Sequence, residues 1–217
     1  MKANIKIAAS LICADPLNIE KDLNQLIKSN VELIHFDVMD GNFVPRYGLY
    51  PEILKRIKLS NKCPEVDVHM MVNNPEDYIE LYSDAGADYY CFHIESTNHP
   101  HRIIKKVLNS GVKAGVALNP NTSLDCLKWI IQDLSMVVLM TINPGIVGHK
   151  FIDEMYIKIS ELKQMANKYN PKLLIEIDGG VTPQNIDKLI DKGANTLVCG
   201  NGTIFRPHED TIINKVE

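Results

Sequence analysis

The chain is poor in the features that would mark most binding modules. Its five cysteines (Cys13, Cys63, Cys91, Cys126 and Cys199) are odd in number and include no CxxC pair. That spacing argues against a zinc ribbon and against a disulfide framework, and it fits a reducing cytoplasm, with most of the thiols expected as small buried hydrophobes. No apolar run is long enough to span a bilayer, and the N-terminal "MKANIKIAASL" reads as a strand rather than a cleavable leader. Positive charge is not in excess. Lys and Arg total 23 against 27 Asp and Glu, a net charge of −4. No basic stripe marks a nucleic-acid partner. Low-complexity tracts, linkers and repeats beyond a simple alternation are missing too. Neither GK[ST] nor G-x-G-x-x-G occurs, so the glycines belong to no Walker or dinucleotide loop.

What is present is a packed core and a regular rhythm. The 217 residues are 45% hydrophobic and 23% charged, enough for one closed α/β barrel and too apolar for disorder. Apolar strands are expected near 5–10, 33–39, 66–71, 89–95, 113–118, 136–142, 173–178 and 196–200. Between them lie amphipathic helical patterns, clearest in 18–29 and 152–168. Asn74-Pro75 and Thr182-Pro183 read as helix starts, a capping side chain before a first-turn proline. Eight strands alternating with helices predict right-handed βα units, a parallel sheet and a single (β/α)8 TIM barrel over residues 1–217. An open doubly wound sheet shares the same periodicity.

Nearly every polar residue that interrupts this pattern lies at the C-terminal end of a strand or just after it, where barrel enzymes build their sites. In "ELIHFDVMDGNFVP", His35, Asp37 and Met39 stand at i, i+2 and i+4, on one face of a strand. "EVDVHMMV" offers His69, with Asp67 and Met71 on its face. "LLIEIDGG" ends in Asp178. In a barrel these ends converge, and His35, Asp37, His69 and Asp178 form an N2O2 set suited to one divalent ion: zinc, iron(II), cobalt or manganese. Any one of them alone is an ordinary hydrogen-bonded strand-end residue. His93 and Glu95, read on one face of strand four, fall behind this set. His99, His101, His149 and His208 read as loop or surface residues. Glycine turns follow the last three strands: "NPGIVG" (143–148), "DGG" (178–180) and "CGNG" (199–202). Bare backbone N–H groups there make an anion site of the kind barrels place after strands seven and eight. Met39, Met71 and Met140 face the same cavity and would shield it from water.

"SLICAD", "IHFDVMDGNFVP", "DVHMMV", "FHIES", "GVALNP", "MTINPG" and "IDGGVTPQNI" resemble the ribulose-phosphate 3-epimerase family from about Ser10 to Phe205. The resemblance implies a metal-dependent barrel enzyme that inverts C3 of a phosphorylated ketose, D-ribulose 5-phosphate first, through a metal-stabilised enediolate. It implies His35, Asp37, His69 and Asp178 as metal ligands, and Asp37 and Asp178 as the acid–base pair. It places Ser10 and His69 at the substrate and Met39, Met71 and Met140 along the cavity. Gly145, Gly148, Gly179, Gly180, Gly200 and Asn201 are then the phosphate-binding turns. A cytoplasmic homo-oligomer acting on a sugar phosphate, with no nucleic-acid or membrane partner, is expected.

Three stretches depart from the family pattern. Arg46-Tyr47-Gly48-Leu49-Tyr50 replaces the usual Asn-Ile-Thr/Ser-Phe-Gly run. Ile146, Val147 and His149 alter the turn after strand six. Asn201 replaces a serine. The altered loops predict a shifted substrate preference, for example D-allulose 6-phosphate, with the chemistry intact. Related decarboxylases need a lysine in a D-x-K-x-x-D strand; here that strand reads Asp67-Val68-His69, without one. A non-catalytic sugar-phosphate-binding barrel is the remaining alternative.

Overall fold

The computed structural model describes residues 5–60, 62–145 and 148–205. Within them eight parallel strands close a barrel in the order β1 to β8 and back to β1. The strands are β1 (Lys6–Ser10), β2 (Leu33–Met39), β3 (Glu65–Met71), β4 (Tyr89–His93), β5 (Lys113–Leu118), β6 (Met136–Met140), β7 (Leu174–Asp178) and β8 (Thr196–Cys199). The open doubly wound alternative is therefore excluded. The helices are α1 (Ile19–Lys28), α2 (Pro51–Lys58), α3 (Ile79–Asp84), α4 (Pro100–Asn109), α5 (Met155–Tyr169) and α6 (Ile186–Lys192). None is long and apolar enough to cross a membrane.

Alternation along each strand divides the core in two. One set of side chains, with Ile34, Phe36, Val66, Val68, Ile175 and Ile177 among them, packs outward under the helices. The other set fills the barrel, where Ala8, Leu33, Cys91, Met136 and Val138 form a small apolar layer. The N-terminal end is closed by charge. Glu65 accepts from Lys6 Nζ at 3.2 Å and from Lys113 Nζ at 2.6 Å. The C-terminal half of the barrel holds the polar residues.

Several local expectations need correction. The crossover from β5 to β6 contains no α-helix but two short 3-10 turns, Leu124–Leu127 and Ile131–Asp133. Leu124, Leu127 and Ile130 are buried at intervals of three, the period of a 3-10 turn. Asn74 does not cap a helix through its side chain. It sits in the left-handed region at φ +52° and introduces a 3-10 turn, Pro75–Tyr78. Thr182-Pro183 likewise starts no helix. α6 begins at Ile186, and Asn185 organises the entry by accepting the Thr182 N–H at 2.9 Å and donating to the Gly180 carbonyl at 2.9 Å. Glu95 lies beyond the end of β4, in the 3-10 turn Ile94–Ser96, so it does not share a strand face with His93. Of the five thiols only Cys91 and Cys199 are fully buried, and Cys126 is exposed.

Candidate active site

The strand register explains the cluster. β2 and β3 pair with His35 opposite Asp67 and Asp37 opposite His69, so one inward face carries all four. β7 lies across the barrel and brings Asp178 to the same level. Four atoms then meet: His35 Nε2, Asp37 Oδ1, His69 Nδ1 and Asp178 Oδ2. His35 Nε2 is 3.2 Å from Asp37 Oδ1, 3.6 Å from Asp178 Oδ2 and 3.2 Å from His69 Nδ1. His69 Nδ1 is 3.3 Å from Asp37 Oδ1 and 3.4 Å from Asp178 Oδ2. A tetrahedral shell with metal–ligand bonds of about 2.0–2.2 Å has edges of roughly 3.3–3.6 Å. The spacing of these donors fits one divalent ion, whose identity such a set leaves open.

Burial pushes the Asp37 carboxyl up, but the charge of His35 and hydrogen bonds from His35 and His69 outweigh it and hold it well below the carboxylate range. Burial also raises Asp178, and the same two imidazoles reverse the shift. Burial pulls the His35 and His69 rings down, yet the surrounding carboxylates leave both raised. Ser10 Oγ donates to Asp37 Oδ2 at 3.1 Å and fixes the plane of that carboxyl.

Beneath the cluster lie residues whose roles the sequence did not reveal. Asp67, fully buried, accepts from His35 Nδ1 at 2.7 Å and so orients that ring. Glu176 is also fully buried, with neither carboxyl oxygen hydrogen-bonded. Burial and the nearby Asp67 charge push its carboxyl well above the ordinary range. Period-two alternation was the available signal: Asp67 precedes His69 by two residues, and Glu176 precedes Asp178 by two. Thr141 gave no such signal. Its hydroxyl donates to the Asp178 and Gly179 carbonyls and pins the turn after β7.

Above the cluster opens a cavity of about 380 Å³. Ser10, Asp37, Met39, Met71, Met140 and Asp178 line its floor and walls. Gly145, Gly148, Gly179, Gly180, Gly200 and Asn201 line the same cavity, so the three glycine turns do converge. His35 and His69 lie below it, fully buried. Two glycines are required by geometry. Gly179 has φ +111°, and a Cβ there would lie 2.4 Å from Ile142 Cγ1. Gly145 has φ +79°, and its Cβ would meet Val44 at 2.5 Å, so the turn after β6 rests on the loop after β2. Arg46, half-buried, and the exposed His149 also line the cavity, which gives His149 a place beyond a plain surface loop. Ile146, Val147 and His208 fall outside the described residues.

A closed parallel barrel that gathers two imidazoles and two carboxylates under a glycine-rimmed cavity has the build of a barrel enzyme able to take a divalent ion. The chain belongs to the ribulose-phosphate 3 epimerase family, whose model matches residues 6–205. It is 39% identical over 213 residues to a ribulose-phosphate 3-epimerase of Bacillus subtilis, covering 98% of each chain. It is 38% identical to the ribulose-phosphate 3-epimerase of Aquifex aeolicus, covering 90% of this chain and 88% of the relative. Solved structures with the same fold include a mutant tryptophan synthase alpha-subunit of Pyrococcus furiosus, with TM-score 0.68, 17% identity and coverage of 93% and 89%. A 3-hexulose-6-phosphate synthase gives TM-score 0.65 and 14% identity, covering 91% and 90%. At those identities the structural likeness speaks to fold alone. Family membership makes the protein an epimerase of the isomerase class.

Proposed function

We propose that the protein inverts C3 of a phosphorylated ketose, converting D-ribulose 5-phosphate to D-xylulose 5-phosphate, with Asp37 and Asp178 moving the proton. The observation that carries this reading is that both carboxyls face one cavity while sharing a donor cluster with His35 and His69. Inversion removes a proton from one face of C3 and returns it to the other, so two groups on two sides are needed. Asp37 reaches the cavity from β2 and Asp178 from β7, on the opposite wall. In each direction one of the two serves as base and the other as acid, and the roles exchange when the reaction reverses. Proton transfer by positioned groups of this kind contributes roughly 10²–10⁴-fold.

His35, Asp37, His69 and Asp178 would hold one divalent ion. When bound, the ion supplies Lewis-acid stabilisation of negative charge on the substrate oxygens. Ser10 steadies Asp37, and the three methionines keep bulk water from the carbanionic carbon without offering it a proton. Backbone N–H groups of the glycine turns receive the phosphate. Arg46 on the cavity wall favours a second reading within the same chemistry, a ketose phosphate with a further acidic or polar group, D-allulose 6-phosphate among the candidates. A panel of ketose phosphates in deuterated water decides. Metal-loaded protein is expected to place solvent deuterium at C3 of the product. No exchange and no turnover on any member would overturn the proposal.

A further inference from the structure

We infer that Glu95, acting through His93, is a positioning residue that fixes the tautomer of His69 and so aims an unprotonated Nδ1 at the donor cluster. The inference rests on the reading that His69 Nδ1 is one of four donors to an ion. A line of three contacts carries it. His69 Nε2 lies 2.9 Å from His93 Nε2. On the far side of that ring, His93 Nδ1 lies 3.2 Å from Glu95 Oε2. The other carboxyl oxygen, Oε1, accepts the Asn119 N–H at 2.8 Å and the Thr122 hydroxyl.

With both rings neutral, as a nitrogen lone pair offered to an ion requires, the line of contacts permits one arrangement of protons. An ionised carboxylate only accepts, so His93 Nδ1 is the donor to Glu95. A neutral imidazole carries one N–H, which leaves His93 Nε2 as an acceptor. The nitrogen facing it, His69 Nε2, must therefore hold the proton between them. His69 Nδ1 is left with its lone pair, and that atom lies 3.3 Å from Asp37 Oδ1 and 3.4 Å from Asp178 Oδ2. His93 is fully buried with the Phe43 ring 4.8 Å away, centroid to centroid, so solvent offers the ring no competing partner. The outer end is anchored as well. Lys158 Nζ donates to the Asn119 and Pro120 carbonyls at 2.8 and 3.1 Å, holding the loop after β5 against Glu95. Asp67 orients His35 independently.

Glu95→Gln separates this role from simple support. The Asn119 N–H still needs an acceptor, so the glutamine carbonyl turns to Asn119 and its NH2 turns to His93 Nδ1. The line reverses. His93 then donates from Nε2, and His69 carries its proton on Nδ1, pointing into the cluster. The test titrates metal-stripped full-length wild type, Glu95→Gln and Glu95→Ala with cobalt(II). Glu95→Gln is expected to lose about 10- to 100-fold in affinity. It should bind worse than Glu95→Ala, in which His93 Nδ1 opens to solvent and can keep its proton. Support alone predicts the opposite ranking, since glutamine preserves the shape. In parallel, ¹⁵N-histidine spectra of the wild type should show His93 protonated on Nδ1, a readout that stands whether or not either variant folds. Glu95→Gln within twofold of wild type, or a wild-type His93 proton on Nε2, overturns the inference. A wild type that takes up no cobalt sinks the metal reading instead; the ring tautomers, measured metal-free at a pH where the rings are neutral, still decide the role of Glu95.

Discussion

Asp178 has two duties under the proposed mechanism, donor to an ion and base toward C3, and a single substitution can separate them. Asparagine keeps the shape and one oxygen but cannot accept a proton. Asp178→Asn, compared at matched metal content, is expected to lose about 100-fold or more in kcat, with a much smaller change in KM. A metal-replete variant turning over near the wild-type rate excludes the role. Glu95 makes a different prediction, about pH. Burial raises its carboxyl, but bonds from His93, Thr122 and Asn119 prevail and leave it at about 2, below the ordinary 4.5. A depressed folded value means that its stabilisation is fully present above about pH 4.5 and is lost as pH falls through about 2. The gap in urea midpoint between wild type and Glu95→Ala should therefore narrow between pH 5 and pH 2.5. A gap that stays constant over that range contradicts the assignment. At this scale the convergence of His35, Asp37, His69 and Asp178 was legible because alternation and strand ends are written in the sequence. Glu176 was legible only as a face-mate of Asp178 two residues on, and Thr141 not at all, because a hydroxyl bonded to backbone looks like any other polar residue until the strands that enclose it are paired.

Elements were read well where periodicity decides and poorly where a loop does. All eight strands were legible. β4 and β6 end two residues earlier than alternation implied, because the chain turns as soon as it leaves the barrel rim. The crossover into β6 was hidden because a period of three is too close to 3.6 to separate by eye. The loop after β2 was read as altered, but its rigidity was not foreseen. Asp40 accepts the N–H groups of Asn42, Phe43 and Asn73, each at 2.8 Å. Gly48 then returns to donate to the Met39 carbonyl at 3.1 Å, and Leu49 to that of Asp37 at 2.8 Å. A Cβ on Gly48 would lie 2.5 Å from the Asp37 carbonyl, so only glycine permits the return. Arg46 is thus presented to the cavity by a fixed backbone, as a specificity element should be. Arg46→Ala should lower kcat/KM on the true substrate at least about tenfold, roughly 1.4 kcal/mol, while changing little on a poor surrogate. Equal, small effects across a ketose-phosphate panel would remove the loop from substrate choice.

The molecule as a whole must close eight strands around side chains of unequal size, and the site depends on that closure because its donors come from opposite walls. Below the donor cluster the barrel is filled tightly. Cys91 on β4 stands opposite Gly115 on β5 in the parallel register, and His69 on β3 stands opposite Cys91. Cys91 Sγ lies 3.5 Å from Met136 Sδ on β6. A Cβ on Gly115 would fall 2.2 Å from Cys91 Sγ and 3.2 Å from Cys91 Cβ, in an interior where Cys91 and Met136 are both fully buried. Gly115→Ala therefore overpacks the interior and should cost about 1–3 kcal/mol. For a chain of this length that lowers Tm by roughly 2–12 °C, at about 2–4 °C per kcal/mol. Cys91→Ala removes the colliding sulfur, so the two substitutions share one volume and should not add. The double variant is expected to recover most of the loss seen in Gly115→Ala alone. Thermal unfolding of the two single variants and the pair measures the coupling. If the losses simply sum, the barrel wall yields at β5 rather than the sulfur, and interior volume at this level is not what holds the β3–β4–β5 register beneath His69.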